Sequence, residues 1–235
     1  VGWGDEGLRA ALARGDLPVV VDVLRFSSTV TTAVANGFTV LPAPTADEGR
    51  RLAAEPGAER RSLSPLDFVN PREPGEVVLV SPNGAALASA IPPGLDGFFA
   101  CFLNARGAAR MLAAIARERG TGIALVAAGE VVEDQETDLH TRRFAIEDHL
   151  GCGAVLDALK MDMDDAAAAC REEYRSAKHR IAALISESPS GAYLRAHGRE
   201  ADLVHCLQVG IYDVLPVVRA GASARGGPET EGGGP

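Results

Sequence analysis

The segment that most constrains the fold is Val19–Gly37, VVVDVLRFSSTVTTAVANG. A valine run bounded by polar residues reads as a strand buried on both faces, as in a parallel sheet. Ser27 or Ser28 suits the cap of a following helix, and Gly37 suits the left-handed position just past its end. The local expectation is strand, short loop, helix, with Asp22 and Arg25 at the strand's carboxyl end. In open α/β sheets that edge binds ligands, and helix N-termini there favour anions. An ion pair between Asp22 and Arg25, with serines that only cap, explains the same stretch without any ligand.

The rest of the chain repeats the alternation. Strands are expected at Phe38–Leu41, Glu76–Val80, Phe98–Phe102 and Ile123–Ala127. Helices are expected at Thr45–Ala54, from Gly84 to about Ile91, and from Asn104 to Arg119. Thr45 stands at capping-box spacing from Glu48. Glu55–Asn70 reads as irregular, and Val131–Arg143 as a polar loop able to form a lid or a surface excursion. Helices follow at Ala145–Leu159, Asp164–Ser186, Ser188–His197 and Asp202–Gln208. Val214–Val218 closes the pattern as a strand, placed at a sheet edge by Pro216. The fold class is therefore α/β, a layered α/β/α arrangement with a mainly parallel sheet and a helix-rich C-terminal third. Residues 1–218 read as a single domain, with lobes of about 1–130 and 131–218 as the other division, and 219–235 as a disordered tail.

Charge and cysteine usage exclude several function classes. The formal net charge of −9 argues against nucleic acid or an anionic membrane as partner, while leaving room for a local basic pocket. No apolar run approaches the roughly 18 residues of a membrane span. Cys101, Cys152, Cys170 and Cys206 lie far apart with no CxxC spacing, so zinc and dithiol chemistry are not expected and reduced thiols are. A cytoplasmic location follows as the expectation.

Strand-to-helix handovers carry the candidate chemistry. Asp22 to Ser28, Ser81-Pro82-Asn83-Gly84, and Asn104 each stand at such a turn, and in one parallel sheet all lie on one edge. Arg25 can grip a phosphate or sulfonate in bidentate fashion. Ser27, Ser28, Asn83 and Asn104 offer neutral hydrogen bonds, and Gly84 admits close backbone approach. Asp22 would be an oxygen ligand for a divalent cation, or a base. Glu147 and Asp148, adjacent at the start of a helix, could bind Mg²⁺, which takes a few carboxylates plus water and substrate phosphate. The helix dipole alone also favours acids there. Phosphate-loop, nucleophile-elbow and HExxH motifs are all missing from the sequence.

The ordered fragments DVLRFSSTV, LSP, SPNG, FLNA, AAGE, IEDHLGCGAV and YDVLPVV resemble the 2-phosphosulfolactate phosphatase family, from about Val19 to Val218. The resemblance implies an α/β fold and Mg²⁺-dependent removal of phosphate from 2-phospho-3-sulfolactate, a step toward coenzyme M or sulfolactate. It implies roles for Asp22, Arg25, Asn83, Asn104, Glu147 and Asp148, with Arg60 standing in the family's Glu-Arg pair. Together with the apolar C-terminal helices it also implies a homodimer.

The sequence departs from the family at Ala127, where many members carry Cys, at Ala192, where a basic residue is usual, and at Gly210, where an acid is. The expected activity is hydrolysis of a small anionic phosphorylated substrate: Asp22, Arg25, Glu147 and Asp148 catalytic, Asp22, Glu147 and Asp148 on the metal, Arg25, Ser27, Ser28, Asn83, Gly84, Asn104 and Arg60 on the substrate. The three departures keep open an alternative, a non-catalytic sensor of a phosphorylated or sulfonated metabolite.

Overall fold

The computed structural model describes residues 1–70, 73–133, 140–219 and 225–226. The N-terminal half runs β1 (Gly2–Trp3), α1 (Gly4–Arg14), β2 (Leu17–Val21), α2 (Phe26–Ala35), β3 (Thr39–Ala43), α3 (Ala46–Leu52) and β4 (Ala58–Arg60). It continues with β5 (Glu76–Val80), α4 (Gly84–Ser89), β6 (Asp96–Ala100), α5 (Ala105–Arg119) and β7 (Ile123–Ala127). A hairpin, β8 (Glu130–Glu133) and β9 (His140–Arg143), precedes α6 (Ile146–Ala158) and α7 (Asp165–Ala177). The chain ends through α8 (Ile181–Glu187), α9 (Pro189–Ala196), α10 (Glu200–Cys206), β10 (Pro216–Arg219) and β11 (Arg225–Gly226).

The main sheet has the order β1-β7-β2-β6-β10-β11. Its first four strands are parallel, while β10 is antiparallel to both β6 and β11. Side-chain alternation along β2 explains why a continuous valine run was needed. Val19 and Val21 enter one core with residues of α5 and α6, and Val20 enters the other with Leu8 of α1 and Val30 of α2. The same alternation holds in β6 and β7, where Phe98 and Leu125 face the first core and Phe99 and Val126 the second. All these side chains are buried, so helices cover both faces and the α/β/α expectation holds.

Several expectations need correction. β5 belongs to a separate three-stranded sheet of order β3-β5-β4, not to the sheet of β2 and β6. The stretch expected to be irregular supplies β4, which pairs in parallel with β5. The polar loop after β7 begins and ends as a hairpin, with Glu130 opposite Arg143; residues 134–139 lie outside the described ones. β10 is not an edge, because β11 pairs with it, and both the terminal residue of β10 and β11 fall within the segment expected to be a tail. The remainder of that tail lies outside the described residues. The helix expected at Asp164–Ser186 is two helices, α7 and α8, separated at Lys178–Arg180.

No helix among the described residues is long and apolar enough to cross a membrane. Arg142 of β9 ties the hairpin back to the sheet, donating to the Ala128 carbonyl at 2.6 Å and to Asp5 of α1 at 2.9 Å.

Candidate active site

Asp22 follows directly on β2 and closes two helix N-termini at once. Its Oδ1 accepts from Phe26 N at 3.1 Å and its Oδ2 from Gly84 N at 2.9 Å, the first residues of α2 and α4. The two sheets therefore meet at this carboxylate, and Gly84 is where the second sheet's helix touches it. A Cβ on Gly84 would stand 2.8 Å from Asp22 Oδ2 and 2.5 Å from the Phe26 ring. Two helix dipoles and two N–H donors favour the carboxylate, but burial outweighs them. Burial first, then Glu130 and Glu147 nearby, raise the Asp22 carboxyl to about 6.

Asp148, in the first turn of α6, clamps the loops after β2 and β7. Its oxygens accept from Val23 N at 2.8 Å and Gly129 N at 2.9 Å. Burial, with Asp22 and Glu147 beside it, pushes its carboxyl well above the ordinary carboxylate range. Glu147 precedes it on the helix, so the two side chains diverge by about 100°. Glu147 is 3 % exposed, and its Oε2 has no hydrogen-bond partner. Glu130, at the start of β8, is half-buried, and that burial raises its carboxyl although the Asn83 side chain hydrogen-bonds to it. Four carboxyl groups thus share one partly desolvated region.

Beside them lies a pocket of about 450 Å³ whose walls include Asp22, Arg25, Ser81, Asn83, Glu130 and Arg143. Ser190 and Tyr193 of α9 close its far side. Arg25 reaches it from the loop before α2, and Arg143 from the end of β9. Asn83 holds the hairpin against this wall, its Oδ1 accepting from Val131 N at 3.0 Å.

The structure brings together Asp22, Arg25, Asn83, Gly84, Glu147 and Asp148 but not the other expected residues. Ser27 and Ser28 are fully buried and spend their hydroxyls on the Val20 and Val23 carbonyls, at 3.2 and 2.7 Å. Asn104 is likewise sealed. Its oxygen accepts from Cys101 N and its amide donates to the Phe99 and Val214 carbonyls, so it ties β6 to the segment before β10. Arg60 is exposed on β4 and is not among the pocket's walls. Among the described residues, no three Asp, Glu, His or Cys side chains converge closely enough to hold one metal ion. The expected ligand trio of Asp22, Glu147 and Asp148 is therefore not assembled: Asp22 and Asp148 each turn both oxygens to backbone donors, while Glu147 Oε2 is left without a partner.

Residues that the sequence did not single out as site residues are Glu130, Arg143, Ser190 and Tyr193, while Ser81 stood in one of the candidate turns. Glu130 carried a signal, since it comes just after the carboxyl end of β7, past Ala128 and Gly129, on the edge where Asp22 follows β2. Arg143 stands opposite it only because the intervening loop is a hairpin.

An acidic cluster and two guanidinium groups thus meet at the carboxyl edge of an α/β sheet, the edge at which proteins of this class bind ligands. The sequence profile described as 2-phosphosulpholactate phosphatase matches residues 6–221. A probable 2-phosphosulfolactate phosphatase of Symbiobacterium thermophilum is 30% identical over 230 residues, covering 88% of this chain and 93% of that protein. One from Pseudothermotoga lettingae is 29% identical, over 85% of this chain and 88% of its own length. The 2-phosphosulfolactate phosphatase of Methanothermobacter thermautotrophicus is 29% identical, over 87% and 88%. The chain belongs to the 2-phosphosulpholactate phosphatase family, by name a family of phosphoric monoester hydrolases.

Proposed function

We propose that the chain hydrolyses 2-phospho-3-sulfolactate to 3-sulfolactate and phosphate, with Mg²⁺ as its cofactor. The observation that carries this reading is the pocket itself, which pairs Arg25 and Arg143 with Asp22 at two helix N-termini. A substrate bearing phosphate, sulfonate and carboxylate needs more than one cationic contact, and two guanidinium groups in a pocket of this size supply them.

A buried, unpartnered Glu147 Oε2 beside carboxyls lifted by desolvation is a cluster lacking positive charge. Mg²⁺ is commonly held by one or two carboxylates, with water and substrate phosphate filling the other positions. Glu147 would hold it here through its unpartnered oxygen, joined by Asp22 through the lone pairs that its two backbone donors leave free, with Asp148 fixing the two strand ends behind them. When bound, the ion would neutralise charge on the phosphoryl oxygens and polarise the phosphorus–oxygen bond.

The chain's own residues supply the rest. Arg25 orients the phosphoryl group, and Arg143 takes a second anionic group of the substrate. Glu130, whose carboxyl burial raises, is the pocket group suited to give a proton to the departing alkoxide oxygen. Water adds to phosphorus, the phosphorus–oxygen bond to the sulfolactate oxygen breaks, and that oxygen gains the proton.

The test is phosphate release from 2-phosphosulfolactate, phospholactate and phosphoglycerate, with Mg²⁺ and with EDTA. Mg²⁺-dependent turnover selective for the sulfonate supports the reading. Selective turnover of another member of the panel overturns the substrate, and full activity in EDTA overturns the cofactor.

A further inference from the structure

Arg25 does not stand alone in the pocket wall. Its Nη1 donates to Asp202 Oδ2, from helix α10, which lies 177 residues further along the chain. Asp202 is 2 % exposed. A buried carboxylate without partners is costly, and this one has two. Its other oxygen accepts from Ser64 Oγ at 2.5 Å, from the turn that leads into the short 3₁₀ segment Pro65–Phe68. Helix α10 packs against that segment and against α9, whose residues form the far wall of the pocket.

We propose that Asp202 is the positioning residue of the phosphate site, holding the Arg25 guanidinium in the pocket wall with its remaining donors free for the ligand. This rests on the reading of the pocket as a phosphate site. A guanidinium carries five N–H donors in a rigid fork. One is given to Asp202, so the fork's orientation is set before any ligand arrives. An arginine left to its own rotamers would have to be ordered by the substrate at each binding event. The anchor is itself anchored, because Ser64 fixes the second oxygen of Asp202 and so fixes the rotation of the carboxylate. The same helix face carries His205, one turn on, whose Nε2 lies 3.2 Å from Thr32 Oγ1 of α2. Helix α10 is thus pinned to the start and the middle of α2, the helix that Arg25 precedes.

The test uses the full chain, with Asp202→Asn, Arg25→Ala and the double variant. Binding of inorganic phosphate is measured by calorimetry, kcat and KM on 2-phosphosulfolactate separately, and melting temperature alongside. In the parent background Asp202→Asn is expected to weaken phosphate binding and to lower kcat/KM by about 10- to 100-fold, mainly through KM. In the Arg25→Ala background the same change is expected to alter neither. Equal losses in both backgrounds, or unchanged phosphate binding in Asp202→Asn, overturn the proposal and leave Asp202 a structural tie. Should Asp202→Asn not fold, Arg25→Ala decides alone. Free guanidinium is expected to restore its phosphate binding, because Asp202 still offers the cation a seat, and no rescue overturns the role. If the parent protein binds phosphate but does not turn over the sulfonate, only the substrate reading falls, and Asp202 is judged on phosphate binding. If the parent binds no phosphate, both fall.

Discussion

At the residue scale, Glu147 separates stability from function most cleanly. Its Oε2 has no hydrogen-bond partner, and its charge adds to that of Asp22 and Asp148. Replacing it by Gln removes the charge and breaks no hydrogen bond at that atom. Glu147→Gln is expected to stabilise the metal-free protein by about 1 kcal/mol, read from urea unfolding in EDTA. The same variant is expected to lose Mg²⁺-dependent phosphate release; parent-like activity would remove Glu147 from the site. Gly84 makes the opposite case. Its missing Cβ is what lets α4 approach Asp22, and the fully buried Phe26 ring has no room to yield. Gly84→Ala is expected to cost about 1–3 kcal/mol by overpacking and to displace the Asp22 carboxylate. A melting temperature within a degree or so of the parent, with full activity, would contradict this. Asp22, Arg25 and Gly84 were legible because local grammar places them at a strand end and a helix start. Asp202 was not, since nothing near it in sequence hints at a partner 177 residues away. Asn104 and the serines misled for a physical reason: a short polar side chain at a strand end can serve the backbone as readily as a ligand, and here each does.

At the scale of elements, helix α6 is more than a carrier of acids. Through Asp148 it holds the loops after β2 and β7 side by side, which is where the pocket's acidic wall begins. Asp148→Ala would leave the Val23 and Gly129 N–H groups without their acceptor. Each such loss is worth about 1–3 kcal/mol, against which the relief of like charge is a partial offset. The expected result is net destabilisation by about 2 kcal/mol, measured by urea unfolding, together with loss of activity. A more stable variant would show that repulsion outweighs the clamp. Strands β5 and β7 were placed correctly from sequence because burial on both faces demands unbroken apolar runs. The division into two sheets was not legible, since β3 and β5 read like any other parallel pair. Nor was the break between α7 and α8. The buried positions Cys170, Tyr174, Ala177, Ile181 and Ile185 keep helical spacing straight through it, while Lys178, His179 and Arg180 are exposed.

At the scale of the whole molecule, the titratable groups pull stability in opposite directions with pH. The Asp22 carboxyl rises on folding from 3.8 to about 6, and that of Asp148 rises also. The folded chain therefore holds more protons than the unfolded chain between those values. The stability this confers is full below about pH 4 and is lost as pH rises through about 6, on the order of 3 kcal/mol for Asp22. His205 acts in reverse. Burial lowers its folded pKa, so its contribution is present above the ordinary value of 6.5 and is lost as pH falls below it. A simple pH–stability curve would superpose the two effects. Magnesium isolates the first, because His205 contributes equally with and without the ion. A cation that binds the ionised carboxylates competes with their protons, so its stabilising effect must grow as they ionise. The rise in melting temperature on adding Mg²⁺ is expected to be small at pH 5 and largest at pH 7.5 to 8, with most of the change near pH 6. In Glu147→Gln the increment should be small at every pH. An increment independent of pH in the parent would mean that the ion binds elsewhere, and that the buried acids carry their charge without it.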